Sequence, residues 1–373
     1  MKQTIHICYL LIVFLATTIA CNNIYSEKES SKELYLISVD DKEGFIDKNG
    51  QIVIEPQFVF AHYFREGLSV VRIGDKLGYI DNTGKYVINP QFDFAEDFNE
   101  GLAAVEIGEN WGYIDKTGKF VINPQFDNAY SFSEGLAAVE LGNKSGFVDK
   151  TGKFAINPQF DEANGFNEGL ALVSISNKYG FIDKTGKFAI NPQFDDAYDF
   201  YEGLAAVKIG DKWGFVDKTG NFAINLQFDY AEDFHEGIAA VNIGDKWGFV
   251  DKQGKYVINP QFDDDYNFYN DGRFFFSEGL ASVKIGDNWG FVDKTGNIID
   301  QQFADVRSFN DGLAAVIIGG KWGFIDKTGK YVINPQFDYA YSFHEGLALV
   351  FIDDKKGYIN KTGMFVWTVE LNN

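Results

Sequence analysis

The chain repeats itself. A glycine in the same setting recurs at Gly44, Gly78, Gly112, Gly146, Gly180, Gly214, Gly248, Gly290, Gly323 and Gly357, in steps of 34 residues six times and then 42, 33 and 34. A period of this size restricts the fold to a solenoid, a propeller or an open array, because one such unit cannot bury enough apolar surface alone and must lean on its neighbours. It also overrides the two or three domains that 373 residues would otherwise suggest.

The copy from Gly101 to Glu134 shows how one unit is built. Gly101 to Ile107 reads as a short strand with Ala103, Val105 and Ile107 on one face. Gly108-Glu109-Asn110 turns the chain into a second strand, Trp111 to Asp115. Lys116-Thr117-Gly118 is a three-residue hairpin loop, Gly118 taking the left-handed position of a bulge, and Lys119 to Asn123 returns as the third strand. That loop places Asp115 opposite Lys119, Ile114 opposite Phe120, Tyr113 opposite Val121 and Gly112 opposite Ile122. Both faces of the hairpin are apolar, so adjacent units must cover both. Pro124 is expected to end the strand, since it cannot donate to a ladder. Phe126 and Phe132, which recur in the following links, read as plugs between units.

Thirty strands cannot form one flat sheet, because sheets twist and split. The expected fold is therefore all-β, an elongated coiled array of ten three-stranded repeats over residues 33–373. The alternative is a closed β-propeller, for which ten blades exceed the usual range of about four to eight.

The words Trp-Gly-Phe-Val/Ile-Asp-Lys-Thr-Gly-Lys and Asn-Pro-Gln-Phe-Asp resemble the bacterial WG-repeat family, whose naming pair stands at Trp111-Gly112, Trp213-Gly214, Trp247-Gly248, Trp289-Gly290 and Trp322-Gly323. The resemblance spans Glu33 to the C-terminus. It implies an exported or envelope-associated β-repeat protein with an interaction role, and it brings no catalytic residues. Glu43, Leu77, Ser145, Tyr179 and Lys356 replace the tryptophan in the other five copies, so the indole is not needed in every unit.

Residues 1–20 read as a signal peptide: Met1 and Lys2 precede an apolar run, Ile5 to Ala20, that is shorter than the roughly 20 residues a bilayer span needs. Thr18-Ile19-Ala20-Cys21 resembles the bacterial lipoprotein signal, with Thr18 where leucine is usual. That resemblance implies acylation of Cys21, each buried methylene adding about 0.8 kcal/mol of membrane anchoring. The polar run Asn22 to Lys32 completes a flexible tether over 21–32. The expected address is the cell envelope, lipid-anchored, with the outer membrane foremost and surface exposure as one option.

A chain that is 45% hydrophobic and 17% aromatic has ample core material, which excludes disorder. Its formal charge of −21, spread along the repeats, repels nucleic acid and anionic lipid and favours cationic or neutral partners. Membrane contact is thus expected through the lipid alone. Cys8 and Cys21 leave the repeats without a disulfide, a thiolate metal site or a cysteine nucleophile. His62, His235 and His344 share no metal-ligand spacing, and no nucleophile elbow, P-loop or dinucleotide fingerprint occurs. Asp-Lys-Thr-Gly, at Asp115 and five further places, resembles the phosphorylated loop of cation-pumping ATPases. It lacks the following threonine and recurs too often, so it reads as a turn. No enzyme activity, cofactor or metal is expected.

Two surfaces stand out. The link between Phe262 and Glu278 is longer than the others, and Asp263, Asp264, Asp265, Tyr266, Tyr269 and Asp271 are candidate binding residues there, for a hard cation or a partner. A second surface is the position reading Arg72, Glu106, Glu140, Ser174, Lys208, Asn242, Lys284, Ile317 and Phe351 while its neighbours barely change. Such variation points to an exposed row. The expected function is a non-catalytic protein-interaction scaffold, the alternative a carbohydrate binder using exposed aromatic residues.

Overall fold

The computed structural model describes residues 33–263 and 275–371; Cys21 and Asp264 to Asp271 lie outside them. The described residues form ten small antiparallel sheets, eight of four strands and two of three. We number these blades 1 to 10 along the chain: 35–58, 60–92, 94–126, 128–160, 162–194, 196–228, 230–263, 280–303, 305–337 and 339–370. The chain divides into two compact units, one of Ser31–Phe234 with Lys252–Gly254, the other of His235–Asp251 with Lys255–Asn373.

Blade 4 is representative. Its strands Asn128–Ala129, Leu136–Glu140, Ser145–Asp149 and Phe154–Phe160 lie side by side in chain order. The short first strand comes from the link, so a typical blade has four strands rather than three.

This arrangement overturns the elongated coiled array. Each copy completes a meander of its own, and neighbouring meanders meet face to face, as the blades of a β-propeller do. The period-2 alternation distributes side chains between two such layers. Ala104, Tyr113 and Ile122 of blade 3 pack on Ala137, Val139 and Val148 of blade 4. Ala103, Val105 and Ile114, on the opposite face, pack on Tyr79, Ile88 and Phe92 of blade 2. Alanines on the second strand and rings on the third and fourth fill each layer.

The expected register holds at Ile114 and Phe120 and then slips. Tyr113 pairs with Ile122, not Val121, and Trp111 pairs with Phe126, so a bulge lies between them. Gly112 faces that bulge. A Cβ there would stand 2.5 Å from the Ile122 carbonyl oxygen and 2.7 Å from the Pro124 nitrogen, so only glycine fits. Pro124 does not end the strand, which continues to Phe126, because the bulge needs no donor at that point. Ile107, at the end of the strand that carries Ala103 and Val105, is exposed.

The link rings are plugs. Phe132 is fully buried with its centroid 4.9 Å from that of Tyr113, edge to face, and Phe324 and Phe343 repeat the contact at 4.7 Å.

Candidate functional site

Most polar groups that recur with the period are consumed in holding the frame. Asp115 accepts hydrogen bonds at Oδ1 from the Thr117 amide and hydroxyl, at 2.9 and 2.6 Å, and from the Lys119 amide at 3.1 Å. The Thr117 hydroxyl does most to hold this carboxyl below the usual range. Glu100 and Gly101 form a two-residue turn in which both have positive φ, 52° and 85°. A glutamate is strained there, and its carboxylate reaches 3.0 Å to the Gly135 amide of the next copy. Lys150, in the same blade as Gly135, donates to the Glu100 carbonyl at 2.8 Å and contacts its carboxylate at 3.0 Å. A third device is the aspartate after the last strand. Asp195 binds Lys178 at 2.5 Å and the Gly210 amide at 2.8 Å, joining consecutive turns.

The sequence-based candidates distribute unevenly over this frame. Asp263, the one member of the long-link group within the described residues, takes the same latch role through Lys246 and the Gly286 amide. Trp213, Trp247, Trp289 and Trp322 are buried, at 2, 4, 2 and 3% exposure, and Trp111 is half-buried. Gly214 and Gly323 repeat the close approach of Gly112, with 2.6 and 2.7 Å to the facing carbonyl oxygen. Gly248 and Gly290 stand at the same place, opposite Val241 and Val283. The variable row is less open than expected: Arg72 is exposed, Ser174 and Asn242 are buried, and the other six are half-buried. Five of its members lie across the strands from a tryptophan, as Lys208 does from Trp213.

A different set of residues carries unspent polarity. Two positions after the first strand begins, the copies read His62, Glu96, Tyr130, Asn164, Tyr198, Glu232, Arg307 and Tyr341, and the next position reads Tyr63, Asp97, Ser131, Gly165, Asp199, Asp233, Ser308 and Ser342. The first of these in one blade reaches the second in the next. His62 Nδ1 lies 2.8 Å from Asp97 Oδ1, and Asn164 donates to Asp199 Oδ2 at 3.2 Å. Burial opposes charge on His62, but the hydrogen bond and charge of Asp97 outweigh it and raise the imidazole pKa.

By that rule Tyr198 should serve Asp233. Instead its hydroxyl pairs with that of Tyr230, while its ring stacks on Trp213 at 5.2 Å and 25°. Asp233 Oδ1 is left shut off from solvent with no hydrogen-bond partner, and so is Asp199 Oδ1. Burial pushes Glu232 up to about 7 and Asp199 to about 6, the Asn164 bond opposing the latter. Asp233 is driven further above the carboxylate range by burial and then by the charges of Glu232 and Asp199. These acids were not singled out from the sequence. The available signal was that this pair of positions changes chemical type from copy to copy inside an otherwise repeated link.

In blades 9 and 10 the same places form a closed arrangement. Arg307 stands where Tyr198 does, its guanidinium carbon 5.3, 5.1 and 5.6 Å from the ring centres of Trp322, Tyr339 and Tyr341. Its Nε donates to the Ala340 carbonyl at 2.9 Å and its Nη2 to the Tyr339 hydroxyl. Position for position, Trp322 matches Trp213, Tyr339 matches Tyr230 and Tyr341 matches Glu232.

Blades of this kind, each built around a glycine-backed bulge and joined to the next by a Glu-Gly clasp, define a β-repeat protein of the propeller class. The family described as WG containing repeat matches nine consecutive segments, residues 44–76, 78–111, 111–144, 146–179, 179–213, 213–247, 247–289, 289–322 and 322–355, and the chain belongs to that family. No curated protein matches it. Among solved structures it is similar to one described as the eukaryotic initiation factor, at 11% identity and TM-score 0.49 over 92% of this chain and 97% of that one. It is also similar to Hsv2p of Kluyveromyces lactis, at 8% identity and TM-score 0.37 over 66% of this chain and 97% of that one. A third is BamB of Moraxella catarrhalis, at 9% identity and TM-score 0.35, covering 89% of this chain and 95% of the other.

Proposed function

We propose that the chain is a lipoprotein of the cell envelope, tethered through Cys21, whose blades form a non-catalytic scaffold for binding proteins. One observation carries this reading. The polar groups that recur in the copies are spent on the frame, whereas the positions that differ between copies remain at least partly exposed at Arg72, Glu106, Glu140, Lys208, Lys284, Ile317 and Phe351. A fixed frame with a changing surface supports recognition of an extended partner better than it supports a single reaction. The carbohydrate alternative loses its chemistry, since four of the five Trp-Gly indoles are inside and offer no face to a sugar ring.

The test has two arms. Fatty-acid labelling should mark the wild-type chain and not Cys21→Ala, and the variant should leave the membrane fraction. Crosslinking in intact cells should give a defined protein partner that is lost in Arg72→Glu/Lys208→Glu/Lys284→Glu. Crosslinks untouched by that variant would remove the scaffold reading.

A further inference from the structure

We infer that Asp199, Glu232 and Asp233, beside the rings of Tyr198, Trp213 and Tyr230, form a recognition site for a guanidinium group supplied by a partner protein. This deepens the scaffold reading and rests on it. The first support is Asp233 itself. Its Oδ1 is buried without a donor, and the residue that would serve it by analogy with His62–Asp97 and Asn164–Asp199, Tyr198, is turned to Tyr230. A carboxylate so placed is costly unless something cationic completes it.

The second support is internal to the chain. At the matching place in blades 9 and 10 the ring set is already occupied by a guanidinium, that of Arg307, so these positions make a frame that accepts such a group. Where the chain supplies its own cation, the neighbouring positions are Ser308, Tyr341 and Ser342, with no carboxylate among them. Where it does not, they are Asp199, Glu232 and Asp233. Lys208 approaches the Trp213 ring at 6.0 Å but faces Asp196 across the strands, and it is not among the groups that shift the three acids. A planar guanidinium can stack on an indole or phenol and bond to carboxylates through its edge, which suits this mixture better than a hard metal ion would.

The experiment uses the full chain in non-ionic detergent, labelled with 5-fluorotryptophan. Its six tryptophans give six fluorine resonances, and Trp213→Phe identifies the one of interest. Nα-acetyl-arginine amide should move the Trp213 resonance saturably, while the citrulline amide, isosteric and uncharged, should not. Glu232→Gln/Asp233→Asn should weaken binding at least tenfold, and Asp211→Asn, an exposed acid on a turn, should leave it unchanged. Neutral isosteres remove like-charge repulsion, so the double variant should melt no lower than wild type, and a lost shift then reports on binding. No saturable shift, equal affinity in the double variant, or a response to calcium chloride but not to the arginine amide would each overturn the assignment. The crosslinking result is independent of these outcomes, so the site can fail while the scaffold stands.

Discussion

Two regions built from the same positions have been brought to opposite electrostatic ends. Around Trp322 the chain fills the space between rings with its own Arg307, whose Nε and Nη2 both donate hydrogen bonds. Around Trp213 a tyrosine occupies that place, and three acids are left near it, two with an oxygen that is buried and unpartnered. The glycine-backed bulge is common to both, the first strand of the following blade runs Tyr230–His235 in one and Tyr339–Ala340 in the other, and the chemical difference lies in side chains on the link. A repeat can therefore keep its fold constant and vary its chemistry at two adjacent positions per copy.

The strongest challenge to that statement is to strike the frame equally in both regions. Gly214→Ala and Gly323→Ala each push a methyl to 2.6 or 2.7 Å from a facing carbonyl oxygen. Such overlap with backbone cannot be relieved by a rotamer change, so each should lose about 3 kcal/mol or more in urea unfolding. Equal losses support a common frame, whereas a tolerated alanine in one region would show that its bulge differs. A smaller loss, confined to one region, is expected of Arg307→Ala. It removes the cation from three rings and two hydrogen bonds, and about 2 kcal/mol should follow. Tyr198→Phe, which deletes only the hydroxyl contact with Tyr230, should cost less by the same measurement.

Much of this frame was legible in the sequence. The period gave the units, the Lys-Thr-Gly loop gave the turn, and Ile114 opposite Phe120 followed from it. What was not legible came from contacts that cross between copies. The bulge beside Gly112 depends on how the strand from Phe120 to Phe126 passes over a glycine, and the alternation pattern alone reads the same without it. Glu100 looked like an ordinary loop acid, because its partners, Gly135 and Lys150, lie in the next blade. The elongated array failed for the same reason: local pattern names the strands but not the inclination between sheets. The acids at 199, 232 and 233 were hidden among the many carboxylates of a strongly acidic chain. Only the orientation of Tyr198 shows that Asp233 has no donor.

Titration separates the two regions further. Burial raises Asp199 to about 6 and Glu232 to about 7. Their unfolded values are about 3.9 and 4.3, so the stability these groups contribute is complete below pH about 4 and is lost as pH rises through about 6 to 7. The turn aspartates act with the opposite sign. Asp293, brought down to about 2 by Thr295 and Asn297 against some burial, contributes above its unfolded value and is lost as pH falls toward 2. The melting temperature should therefore peak near pH 4 and fall by roughly 2–4 °C by pH 8. Asp199→Asn/Glu232→Gln/Asp233→Asn should flatten the alkaline side, and Arg307→Ala should leave its slope unchanged. An alkaline slope that survives the triple variant would place its origin outside this cluster.

The smallest expected effect is also the one that tests the equivalence most directly. Tyr198→Arg places a guanidinium where Arg307 stands in the other region, against Trp213 and Tyr230 and beside the acids that lack a cation. The new side chain forfeits the Tyr198–Trp213 stack but gains cation–ring contact and at least one carboxylate, for a net gain of about 1 kcal/mol. The acids would then be paired, so the alkaline fall in melting temperature should shrink and the arginine amide should no longer move the Trp213 resonance. A loss of stability together with an unchanged alkaline slope would mean that the acids face away from position 198. Matching positions in the repeat would then not imply matching geometry, and the comparison between the two regions would lose its basis.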